Sequence, residues 1–168
     1  MKRELTFKNE EEELTRVTEF MENICDELQL DTHVAMKLQV AIEEMVTNVI
    51  FYAYPEGTCA DITLSAESGD KELTFVLSDT GKPFDPTAKE DADIEKNPMD
   101  REQGGMGILI VKNIMNEVSY QRLEYVGRYH KWHNVMAAKK AAVHRRSRNG
   151  DMTSGAMASL VAGTGTWV

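Results

Sequence analysis

Cysteine is scarce in this 168-residue chain: Cys25 and Cys59 are the only two. They are too few and too far apart for a disulfide framework or a metal knuckle, and they read as small, reduced core residues with no redox role. Long apolar runs are missing too. None approaches the roughly 18 residues of a membrane span, and Met1-Lys2-Arg3-Glu4-Leu5 enters charged sequence at once, so a cytosolic protein is expected. No Gly-Lys-Ser/Thr occurs, which excludes a P-loop. Basic charge is in short supply through most of the chain. The formal net charge is −9, yet residues 136–168 hold five Lys or Arg against one Asp, leaving 14 basic and 27 acidic residues before them, net −13. Such a body repels nucleic acid and anionic membranes.

The length suits one domain with a real hydrophobic core. A strand is expected near Arg3 to Phe7, then a helix from about Glu11 to Leu28 with Leu14, Val17, Met21, Ile24 and Leu28 on one face. Asp31 can cap a second helix reaching Tyr52, with a stripe of Val34, Leu38, Ala41, Ile42, Met45 and Val49, and Tyr54-Pro55-Glu56-Gly57 ends it. Ile62 to Leu64 and Leu73 to Leu77 read as strands joined through Ser68-Gly69-Asp70, which has hairpin chemistry. A helix from Met106 to Met115 and strands over Val118 to Tyr125 and from Tyr129 to about Val135 or beyond complete the pattern. These elements predict an α+β two-layer sandwich, a mostly antiparallel sheet covered on one face by helices. Residues 1–140 form the expected domain. Residues 141–168, basic and rich in Gly, Ala and Ser, are expected to be a tail outside it.

Three segments carry candidate chemistry. On the second helix Glu44 and Asn48 are four residues apart, hence on one face about 6 Å apart along the axis, a carboxylate base beside an amide oxygen suited to Mg²⁺. A solvated acidic stripe is the plain alternative. Asp79-Thr80-Gly81 follows an apolar strand, where the carboxylate can accept from an exocyclic amine such as adenine's, or simply make a turn. Gly104-Gly105-Met106-Gly107 runs directly into a helix whose first amides can hold phosphate, or acts as a hinge. A dinucleotide fingerprint needs a strand immediately before the glycines, and Asn97 to Gln103 reads as a loop. The polar stretch Thr80 to Gln103, with three of the four prolines, is long for a structureless connection. Its Asp91, Asp93, Glu95 and Glu102 mimic a calcium loop, but Lys96 stands where that loop needs glycine.

In order and rough spacing, Glu44-x-x-x-Asn48, Asp79-x-Gly81 and Gly104-Gly105-x-Gly107 resemble the N box and two glycine boxes of the gyrase, heat-shock chaperone, histidine kinase and MutL ATPase superfamily. With Gly81-Lys82-Pro83-Phe84-Asp85-Pro86 after the aspartate and no phosphoacceptor-histidine helices, the chain resembles the stand-alone anti-sigma factor serine/threonine kinases of bacterial partner-switching systems. The resemblance implies ATP and Mg²⁺ as cofactors, Glu44 as catalytic base and Asn48 as magnesium ligand. It implies that Asp79 and Gly81 hold adenine, that Gly104, Gly105, Met106 and Gly107 line the phosphates, and that Arg101 contacts the terminal phosphate. A sigma factor and an anti-sigma factor antagonist are the implied partners, and a homodimer is the common state of relatives. A non-catalytic sequestering module and a histidine-kinase catalytic domain are the alternative readings. Relatives supply a threonine to the adenine network from the last strand; here the candidates are Tyr129 and Ala137.

Overall fold

The computed structural model describes residues 1–69, 72–85, 105–126 and 130–141. Strand β1 (Lys2–Lys8) is followed by a 3₁₀ turn (Glu11–Glu13), α1 (Leu14–Glu27), α2 (Thr32–Tyr52), β2 (Asp61–Ser68), β3 (Glu72–Asp79), α3 (Gly105–Ile114), β4 (Glu117–Val126) and β5 (His130–Ala141). The five strands form one sheet in the order β1-β2-β3-β5-β4, antiparallel at every pairing.

Register sorts the side chains. Leu64 pairs with Leu77 and Ala66 with Phe75, so alternate residues of β2 and β3 build one apolar face on which Ile62, Leu64, Ala66, Leu73, Phe75 and Leu77 are buried. Thr63, Ser65, Thr74 and Ser78, on the opposite parity, are only half-buried. Val17, Met21 and Ile24 of α1, Leu38, Ile42 and Met45 of α2, and Val111 of α3 close over the apolar face as one core cluster. Each buried Leu, Ile or Phe contributes about 1.5–3 kcal/mol. The α+β sandwich expected from the sequence is the fold observed.

Local chemistry sets the helix ends. Where the sequence predicts helix from Glu11, a 3₁₀ turn comes first. Glu10 supplies no side-chain cap, and the Glu13 amide donates to the Glu10 carbonyl at 3.1 Å. α1 stops because Gln29 turns into the left-handed region, φ 52°, letting the Leu30 amide reach back to the Cys25 carbonyl at 2.9 Å. Asp31 then caps α2, accepting from the His33 amide at 2.9 Å.

Cys25 lies in the core as expected, where burial raises its thiol pKa. Cys59 does not: it is exposed. Its neighbours Thr58 and Ala60 are tied to Asn9, whose Nδ2 donates to the Thr58 carbonyl and whose Oδ1 accepts from the Ala60 amide. Those bonds hold the loop at the end of β1 instead of over the core. No helix among the described residues is long and apolar enough to cross a membrane.

Candidate active site

Two adjacent glutamates on α2 face different neighbours. The Glu43 carboxylate accepts from Thr18 Oγ1 of α1 at 3.2 Å and from Gln39 Nε2 at 3.1 Å. Glu44, about 100° further round the helix, is half-buried and turns toward α3. Among the described residues, no hydrogen bond or ion pair engages its carboxylate. One turn on, Asn48 Nδ2 donates to the Glu44 main-chain oxygen at 2.6 Å. That bond uses the amide nitrogen and leaves Oδ1, a hard oxygen, as the side chain's acceptor.

Gly107 brings α3 to this pair. A Cβ there would overlap Glu44 Oε2 and stand 3.2 Å from Glu44 Cδ and 3.3 Å from Asn48 Nδ2, so any larger residue would displace the Glu44 carboxylate from this position. Gly105, Met106 and Gly107 form the first turn of α3. Amides in a first turn lack intrahelical acceptors and carry the positive end of the helix dipole, an arrangement that suits phosphate oxygens. Gly107 is buried and Met106 is 48% exposed.

Asp79 lies where the turn after β3 meets the C-terminal end of α2. It is the last residue of β3, on the apolar face, and only 6% exposed. The Gly81 amide donates to its Oδ1 at 2.7 Å. The turn that follows is latched to the C-terminal end of α2: the Lys82 amide donates to the Ala53 carbonyl at 2.8 Å, and the Thr80 amide to the Tyr54 hydroxyl at 3.0 Å. A Cβ on Gly81 would stand 2.5 Å from that carbonyl oxygen, which explains the glycine. Ala53 lies roughly 14 Å along the helix axis from Glu44. Both groups of candidate residues therefore border α2.

Glu44, Asn48, Gly105, Met106 and Gly107 are thus gathered where α2 meets α3, and Asp79 with Gly81 at the end of α2. Arg101 and Gly104, most of the Thr80 to Gln103 stretch and the tail after Ala141 lie outside the described residues, as does Tyr129. The other adenine-contact candidate, Ala137, pairs with Val76, whereas the residue abreast of Asp79 is Asn134. Tyr54 and Ala53 were not singled out by sequence reasoning. The signal for them was an aromatic and a small residue just where the helix pattern runs out before Pro55. A cavity of about 1030 Å³ opens beside the latch, with Tyr54, Cys59, Asp61, Thr80 and Lys82 in its wall. Glu44, Asn48 and Gly107 are not part of it.

A helix-covered antiparallel sheet, with an acid and an amide on one helix packed against the glycine start of another, defines the class of histidine kinase-like ATPases. The family described as "Histidine kinase-like ATPase domain" matches residues 7–128, and the chain belongs to it. Among curated relatives, the chain is similar to serine/threonine-protein kinase BtrW of Bordetella bronchiseptica, 27% identical over 85 residues, which are 51% of this chain and 60% of that protein. It therefore spans less than two thirds of that relative's length. It is also similar to anti-sigma F factor of Clostridium acetobutylicum, 29% identical over 122 residues, which are 71% of this chain and 83% of that protein. A crystal structure of the RsbU and RsbW domains of a Mycobacterium tuberculosis protein matches with a TM-score of 0.50 at 12% identity. That match covers 88% of this chain and 34% of the other and is a likeness of fold alone.

Proposed function

We propose that the chain is an ATP-dependent serine/threonine protein kinase and anti-sigma factor, acting on an anti-sigma factor antagonist in a bacterial partner-switching system. The observation that carries the reading is Glu44, half-buried with no hydrogen-bonding partner among the described residues, beside Asn48 and the glycine turn of α3. A purely structural carboxylate at such a place would be tied down as Glu43 is. The names of the relatives, a serine/threonine-protein kinase and an anti-sigma factor, support both halves of the proposal.

In this reading Asp79 accepts from the exocyclic amine of adenine, and the Gly105, Met106 and Gly107 amides take phosphate oxygens. Asn48 Oδ1 fits a magnesium ligand, because its nitrogen is already committed to the helix. Bound Mg²⁺ would neutralise phosphate charge. Arg101 is assigned to the terminal phosphate. Glu44 orients the incoming serine or threonine hydroxyl and takes its proton as the new oxygen–phosphorus bond forms and the bond between the terminal phosphoryl group and ADP breaks. Phosphate on the antagonist adds close to two negative charges. Against an acidic surface that weakens its hold and returns the sigma factor to this protein.

The test is incubation of the full chain with terminally radiolabelled ATP, magnesium and a co-encoded antagonist. Label on a serine or threonine of the antagonist is expected. Intact ATP binding without label would sink the kinase assignment and leave a nucleotide-dependent sequestering module.

A further inference from the structure

The turn that presents Asp79 meets the C-terminal end of α2 and the residue beyond it through backbone hydrogen bonds and through the side chain of Tyr54. Lys82 and Ala53 meet through main-chain atoms, and the Gly81 amide donates to Asp79 Oδ1. Tyr54 contributes a side chain: its hydroxyl accepts from the Thr80 amide at 3.0 Å, 26 residues away in sequence. That amide belongs to the residue directly after Asp79, so the bond fixes the peptide plane from which the aspartate's backbone is hung. The Gly81 amide at Oδ1 helps to set the plane of the carboxylate. The ring is half-buried, packs against the core and lines the same cavity as Asp79, Thr80 and Gly81. Burial pushes the phenol above its ordinary value of 10.0, with the Thr80 hydrogen bonds opposing, so the hydroxyl is intact at neutral pH.

We infer that Tyr54 is a positioning residue for nucleotide-base selection, holding the Asp79-Thr80-Gly81 turn so that the carboxylate meets the amine of adenine. The inference rests on the reading of Asp79 as the adenine contact. Removing the hydroxyl leaves the ring's packing in place and frees the turn to rotate. Its effect falls on ligands that use the amine and spares those that do not.

The experiment measures binding of ATP and of purine riboside triphosphate, which lacks that amine, to the full chain, to Tyr54→Phe and to Asp79→Asn. The unmutated chain is expected to favour ATP by roughly 10-fold or more, and Asp79→Asn to abolish the preference. Tyr54→Phe is expected to weaken ATP about fivefold while leaving the amine-free nucleotide within about twofold of its original affinity. Thr80 amide exchange should quicken in the same variant with the melting temperature little changed. Equal weakening of both nucleotides, or full preference retained, overturns the role of Tyr54 alone. Failure of the unmutated chain to discriminate overturns the assignment of Asp79, and this inference with it.

Discussion

A carboxylate that accepts two side-chain hydrogen bonds is held in one orientation, and Thr18 and Gln39 do this to Glu43. Its neighbour Glu44 faces Gly107 of α3, and among the described residues no hydrogen bond or ion pair engages its carboxylate. The two residues should therefore fail differently when truncated. Glu44→Ala is expected to leave the ATP dissociation constant within about tenfold while cutting phosphoryl transfer by roughly 10²–10⁴, because in the proposed function the base acts on the nucleophile and not on the nucleotide. Glu43→Ala is expected to strand Thr18 and Gln39 and lower stability by about 1–2 kcal/mol, with transfer nearly intact. Calorimetric ATP titration, a labelled-phosphate assay and thermal melts on both variants check this; transfer lost equally in both would remove the distinction. The spacing of Glu44 and Asn48 was legible because a helix puts residues four apart on one face. The anchoring of Glu43 was not, because Thr18 lies 25 residues away and only the packing of α1 on α2 brings it near.

Elements were legible where one periodicity ran without interruption. α2 is marked by a capping aspartate, a continuous apolar stripe and Pro55 beyond its end, and β3 by strict alternation of Leu73, Phe75 and Leu77. The end of α1 was harder to read, because the residue that takes the left-handed conformation is glutamine, which carries none of the usual signal of glycine or asparagine. That position yields a prediction about the element alone. A side chain at φ 52° costs about 1–2 kcal/mol that glycine avoids, and part of the gain is offset by the greater freedom of glycine in the unfolded chain. Gln29→Gly should raise stability by about 0.5–1 kcal/mol, measured as a higher urea midpoint at unchanged slope. It should leave nucleotide binding alone, since the α1–α2 connection is remote from Glu44 in the chain and exposed at Gln29. A fall in stability would mean that the glutamine side chain contributes more than its backbone strain removes.

At the scale of the molecule, the layers were legible and the strand order was not. Hydrophobic alternation says which face of a strand is buried, but it does not say that β5 enters between β3 and β4 and lies abreast of Asp79. The candidate site was legible as three separate segments. Its assembly depends on two glycines that a sequence shows only as glycines: Gly107, which admits Glu44, and Gly81, which admits Ala53. The same packing bounds the unit that should fold. The last core member among the described residues is Ala138, and the β3–β5 ladder runs to the pairing of Ala141 with Glu72. We propose that residues beyond Ala141 add nothing to this core. Composition supports that reading, because the segment is dominated by Ala, Gly, Ser and Arg and holds few large apolar side chains before Trp167. Ending the chain after Ala141 removes Arg145, Arg146, Arg148 and Asp151, which makes the protein more acidic without opening the core. The truncated chain is expected to melt within about 2 °C of the full one and to bind ATP equally well. A drop beyond about 5 °C would place part of that segment in the packed structure, and would require a partner surface for Trp167 on the sheet or helices described above.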